Sequence, residues 1–100
     1  MLAPIITNNL LQIKNICQKH YVKELYIFGS AVTDKFTEKS DLDFAIDFDG
    51  VDEKEFANNY FDLMENLQTL LKRKVDFVTE KYLNNKYFIK ELNETKVKLI

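Results

Sequence analysis

Residues 41–48 alternate strictly. Leu42, Phe44, Ile46 and Phe48 are apolar, while Asp41, Asp43, Ala45 and Asp47 fall between them. A period of two is the signature of a strand with one face buried. On the polar face Asp41 and Asp43 stand two residues apart, about 6–7 Å between alpha carbons, close enough to share a cation. Upstream, the apolar run Leu25-Tyr26-Ile27-Phe28 reads as a buried strand. It stops at Gly29-Ser30, a pair able to turn tightly into a helix start.

The flanking residues predict helices. Ile6, Leu10, Ile13, Cys17 and Tyr21 recur near helical spacing over residues 4–20, with Pro4 tolerated in a first turn. Phe56, Tyr60, Leu63, Met64, Leu67, Leu70 and Leu71 form an apolar stripe within residues 53–73. Asp52 and Glu53 suit the start of that helix, and Lys72, Arg73 and Lys74 suit its end, where helix-end solvation is their expected role. A strand at 24–28, a short helical turn at 30–35, a strand at 41–48 closed by Asp49-Gly50 and a strand at 75–78 complete the pattern. Beyond residue 80, two short helices broken at Asn84-Asn85 are expected, then an edge strand or docking tail at 96–100. The expected fold is α+β: a small mixed β-sheet with the first and the long helix packed on one face, the other face open.

One hundred residues make one domain, 1–100, burying about 65% of the surface of its unfolded chain. With 46% hydrophobic and 13% aromatic residues, one proline and two glycines, the composition is that of a folded globule. Fourteen basic against 16 acidic side chains leave a net charge of -2, which is no footprint for direct nucleic-acid binding. Cys17 has no intramolecular partner, and no signal peptide or membrane-spanning run is visible, so a reducing, cytoplasmic setting without membrane contact is expected. Cys17 reads as a buried small hydrophobe rather than a nucleophile. His20 reads as structural, because no His and Cys cluster exists to bind zinc.

The chemistry lies in three carboxylates and one turn. A sheet that placed strand 75–78 beside strand 41–48 would bring Asp76 onto the face of Asp41 and Asp43. Three such groups repel unless a cation neutralises them, and all-oxygen ligands suit Mg²⁺ or Mn²⁺. Gly29 lets a ligand approach the backbone, and free amides at the start of a helix attract phosphate. A triphosphate bridging turn and metals would be held for in-line displacement. Asp47 lies about 13 Å along the strand from Asp43 and reads as solvent-exposed, and Asp49 reads as a turn residue.

The combined pattern, Gly29-Ser30, Ser40-Asp41-Leu42-Asp43 and Val75-Asp76-Phe77-Val78, resembles the minimal nucleotidyltransferase family of the DNA polymerase beta superfamily, over nearly the whole chain. The resemblance implies that Gly29 and Ser30 bind the nucleotide phosphates. It implies that Asp41, Asp43 and Asp76 are the catalytic, metal-binding residues, with Mg²⁺ (or Mn²⁺) as cofactor and ATP as substrate. It further implies an antitoxin paired with a HEPN-type helical toxin, moving AMP to a tyrosine hydroxyl of that partner. Relatives often carry arginines and a second glycine after the Gly-Ser pair, where this chain has Ala31, Val32, Thr33 and Asp34. Lys35 and Lys39 are the nearest substitutes, with a solvated loop as their expected role.

Two other classes compete. A binding module would neutralise its partner by masking it, with residual or no catalysis. A small-molecule transferase would need an acceptor pocket that a short chain has little wall to build. Homodimers or hetero-oligomers are both compatible with the open apolar edge of such a sheet, where Tyr82, Tyr87 and Phe88 are candidate contacts.

Overall fold

The computed structural model describes residues 2–100. Two helices, α1 (Pro4–Thr7) and α2 (Leu10–Lys19), precede β1 (Val22–Phe28). A single 3₁₀ turn, Gly29–Val32, and the loop 33–41 lead into β2 (Leu42–Phe48). A 3₁₀ turn at Glu53–Glu55 opens α3 (Phe56–Leu71), followed by β3 (Val75–Val78), a third 3₁₀ turn at Glu80–Tyr82, α4 (Lys86–Thr95) and β4 (Val97–Lys98).

The four strands lie in the order β3-β2-β1-β4. β1 pairs antiparallel with both β2 and β4, and β2 pairs parallel with β3, so the sheet is mixed, as expected. Leu25 and Ile27 of β1, Leu42, Phe44 and Ile46 of β2 and Val75 of β3 are buried with Ile13 and Cys17 of α2 and Leu63, Leu67 and Leu71 of α3. The alternating face of β2 thus meets the apolar stripe of α3. Each fully buried Leu or Ile here contributes about 1.5–3 kcal/mol by leaving water.

The helix expected over 4–20 is broken at Asn8 and Asn9. Asn9 leaves helical backbone angles, its Nδ2 donating to Ile5 O at 2.8 Å while its own carbonyl accepts from Ile13 N at 2.9 Å. A side chain that competes for local backbone groups ends one helix and starts the next. The turn expected over 30–35 closes after one 3₁₀ turn, because Thr33 leaves the helical region and its N–H and Oγ1 both bond to Ser30 O. The long helix is α-helical only from Phe56, its entry being the 3₁₀ turn capped by Asp52, whose side chain accepts from Lys54 N. Asn85 caps α4 by accepting from the amides of Tyr87 and Phe88, and β4 makes the expected edge strand.

α4 returns over the second face of the sheet. Phe88 meets Phe28 edge-on at 6.1 Å between ring centres, and Leu92 is buried outside the main core. Lys96 Nζ lies 2.8 Å from Glu80 Oε1 and 4.2 Å over the Tyr26 ring. That face is therefore covered in part by α4 and Lys96.

His20 ties α2 to α3: Nδ1 lies 2.7 Å from Ile16 O and Nε2 lies 2.7 Å from Asp62 Oδ2, while Asn59 Nδ2 donates to His20 O at 2.8 Å. Cys17 is wholly buried, and burial pushes its thiol up to about 12. Iodoacetamide at pH 8 is therefore expected to leave the native thiol unmodified and to alkylate it fully in guanidinium. Mass spectrometry of the two samples checks this, and stoichiometric labelling of native protein would contradict the burial.

Candidate active site

Register decides which side chains meet. β1 places Phe28 opposite Asp43, so the chain turns at Gly29 beside the Asp43 carboxylate. β3 places Asp76 opposite Asp43 in the parallel ladder, about 4.8 Å away at the backbone. Asp43 thus stands between the Gly29-Ser30 turn and Asp76. Gly29 has φ +74, and a Cβ built there would lie 2.6 Å from Asp43 Oδ2. Only glycine fits this approach without displacing the carboxylate.

Asp41 lies just outside β2, exposed at the end of the loop 33–41, whereas Asp43 and Asp76 are half-buried. The Asp43 carboxyl is held above the usual carboxylate range, first by burial, then by the charge of Asp76, then by that of Asp41. All three predicted carboxylates therefore share one electrostatic neighbourhood. Among the described residues, however, no group of three or more His, Cys, Asp or Glu side chains is arranged to hold a metal ion as it stands. The electrostatic coupling acts over a longer range than coordination, so these findings describe neighbouring but unconverged groups. The donor chemistry fits a hard divalent cation: every candidate ligand is oxygen, and a cation would relieve the like-charge repulsion at Asp43.

The other candidates separate from this cluster. Asp47 Oδ1 accepts from the Phe48 amide at 3.1 Å, and Asp47 is half-buried beside Glu24, Tyr26, Glu80 and Lys81 rather than solvent-exposed as expected. Asp49 is the expected turn residue, its N–H bonded to Tyr21 O. Lys35 and Lys39 are exposed on the loop.

Two residues near the cluster were read from sequence only as parts of a helix. Tyr60 of α3 packs edge-on against Phe77 of β3 at 5.3 Å, and its hydroxyl is pushed up by burial and by the Asp76 charge. Arg73 Nη1 donates to Thr37 O at 2.8 Å and to Ser40 O at 2.9 Å, so it grips the loop that ends at Asp41 instead of facing solvent. The available signal was that Arg73 is the single arginine among 14 basic residues.

An apolar cleft of about 400 Å³ adjoins the turn, lined by Phe28, Gly29, Val32, Phe88 and Leu92 among others. Among the described residues no helix is long and apolar enough to cross a membrane.

The family model described as polymerase beta, nucleotidyltransferase matches residues 11–100. A candidate protein adenylyltransferase of Methanocaldococcus jannaschii is 36% identical over 93 residues, covering 85% of this chain and 92% of the relative. Among solved structures, a candidate minimal nucleotidyltransferase superposes with a TM-score of 0.76 at 23% identity, covering 97% of this chain and 95% of that one. A chain from the complex of tri-AMPylated Shewanella oneidensis HEPN toxin with MNT antitoxin superposes with a TM-score of 0.63 at 18% identity, over 94% of this chain and 71% of that one. At these identities the two structures speak for the fold alone.

Proposed function

The chain belongs to the polymerase beta nucleotidyltransferase family, and from that premise we propose that it is a Mg²⁺-dependent protein adenylyltransferase. Its acceptor is a tyrosine hydroxyl on a HEPN-type helical toxin, which it neutralises as antitoxin. The observation that carries the reading is the placing of Asp43 between Asp76 and the bare backbone of Gly29. A turn open to phosphate and a pair of carboxylates on adjacent strands meet at one point. The family relationship and the AMPylated toxin in the structurally similar complex support the finer assignment.

Asp41, Asp43 and Asp76 would hold the divalent cation, whose chemistry there is to neutralise phosphate charge and activate the leaving pyrophosphate. Gly29 and Ser30 receive the phosphates through the backbone of the half-buried turn and the Ser30 hydroxyl. The acceptor oxygen attacks the α-phosphorus of ATP, the bond from that phosphorus to the bridging oxygen breaks, and pyrophosphate leaves. The hydroxyl proton passes to the Asp76 carboxylate, carried by the edge strand β3.

ATP labelled in the α-phosphate, incubated with this chain and its helical partner, is expected to label the partner covalently only when Mg²⁺ is present. ATP labelled in the γ-phosphate is expected to leave it unlabelled. No α-label transfer between two verified, folded proteins would sink the proposal. The masking alternative is favoured by the exposure of Tyr82 and Tyr87, 72% and 88%. It requires that an Asp41→Ala/Asp43→Ala variant neutralise the toxin as well as the wild type does.

A further inference from the structure

Asp41 is the one candidate ligand that no strand holds. It follows the loop 33–41, most of whose internal hydrogen bonds are short-range: Ser40 N to Thr37 O, Thr37 N to Ser40 Oγ, and Lys39 N to Thr37 Oγ1. Such bonds shape a loop without anchoring it to the body of the protein. Three contacts with Arg73 supply anchorage. Its Nη1 bonds to the carbonyls of Thr37 and Ser40, and its guanidinium carbon lies 4.7 Å from the ring centre of Phe36, itself packed against the core. Arg73 is half-buried and forms no ion pair among the described residues.

Its position in the chain gives this grip a consequence for the site. Arg73 precedes Asp76 by three residues, and the Ser40 carbonyl that it holds belongs to the residue before Asp41. The adjacent Lys74 O accepts from Leu42 N at 2.9 Å, continuing the same seam into the β2–β3 ladder. One guanidinium therefore joins the segment that presents Asp41 to the segment that presents Asp76. From this juxtaposition we propose that Arg73 is a positioning residue, setting Asp41 against the Asp43–Asp76 pair so that the three carboxylates can close on a metal-bound nucleotide. The inference rests on the transferase reading for its purpose, though not for its geometry. A planar head that donates to two carbonyls while stacking on a ring is the geometry of arginine, and lysine reproduces at most part of it. The chain uses lysine at all its other basic positions and arginine only here.

Amide hydrogen exchange and calorimetric titration with MgATP, on wild type, Arg73→Ala and Arg73→Lys, test the role. In Arg73→Ala the amides of Thr37, Ser40 and Leu42 are expected to exchange about tenfold faster, with those of β1 and α3 unchanged. MgATP affinity is expected to fall by about tenfold or more, as on losing the partner that orients a metal ligand. Arg73→Lys is expected to recover less than half of the loss in each readout. Acceleration of all core amides together would overturn the proposal in favour of a general stabilising role, as would an unchanged loop. A loosened loop with undiminished affinity overturns the positioning role alone, whereas a folded wild type that binds no MgATP overturns the transferase reading.

Discussion

Asp43→Asn is expected to reduce Mg²⁺-dependent nucleotide transfer by about 10²–10³-fold, the scale on which a preorganised electrostatic group is lost, while making the metal-free protein more stable. The activity loss follows from position: Asp43 lies both against the Gly29 turn and opposite Asp76. The gain in stability follows from sign. Burial and two like charges hold the Asp43 carboxyl above its ordinary range, so the folded state binds its proton more readily than the unfolded chain does. The contribution of such a group to stability is fully present below the unfolded value and is lost as pH rises through the folded one. At neutral pH wild type carries that destabilisation, and Asn, with similar shape and no charge, does not. Thermal unfolding at pH 7 without divalent ions should thus give a higher Tm for Asp43→Asn. The two curves should converge as pH falls below the ordinary carboxylate range. Saturating MgATP should reverse the order, because only wild type gains the binding free energy. A variant less stable than wild type at pH 7, or one that retains transfer, would refute the assignment of Asp43 as a repelled, functional carboxylate.

Gly29→Ala separates a backbone effect from an effect on the site. At φ +74 an alanine costs about 1–2 kcal/mol in the left-handed region, and its Cβ would stand 2.6 Å from Asp43 Oδ2. The carboxylate must rotate away, and a displacement of about 1 Å at a reacting centre can cost about 10²-fold in rate. Gly50 supplies the internal control, since it has φ +82 but nothing within 4 Å of an added Cβ. Both alanine variants are expected to lower Tm, by about 4–8 °C per kcal/mol in a domain of this size. Only Gly29→Ala should also lose activity. Equal activities in the two variants would show that the Gly29–Asp43 approach has no part in the chemistry.

The periodicities in the sequence were enough to identify β2 and α3, because alternation and a helical stripe are local consequences of which face leaves water, and a short β-branched run marked β3. The sequence also contained the Gly29-Ser30 turn and the candidate carboxylates, as residue types at a readable spacing. Local competition was harder to read: Asn9 divides the first helix, and Thr33 stops the turn after Val32, because short polar side chains take backbone partners that periodicity does not register.

Only tertiary structure could decide which strands are neighbours. The parallel β2–β3 register, which sets Asp76 opposite Asp43, depends on how α3 crosses the sheet, and no spacing between residues 43 and 76 encodes that crossing. The return of α4 over Tyr26 and Phe28, and the grip of Arg73 on loop 33–41, likewise join residues far apart in sequence. Composition and periodicity settle which side chains leave water, because that preference belongs to each residue. Which charges repel and which carbonyls share a guanidinium depend on distances that exist only once the sheet has formed.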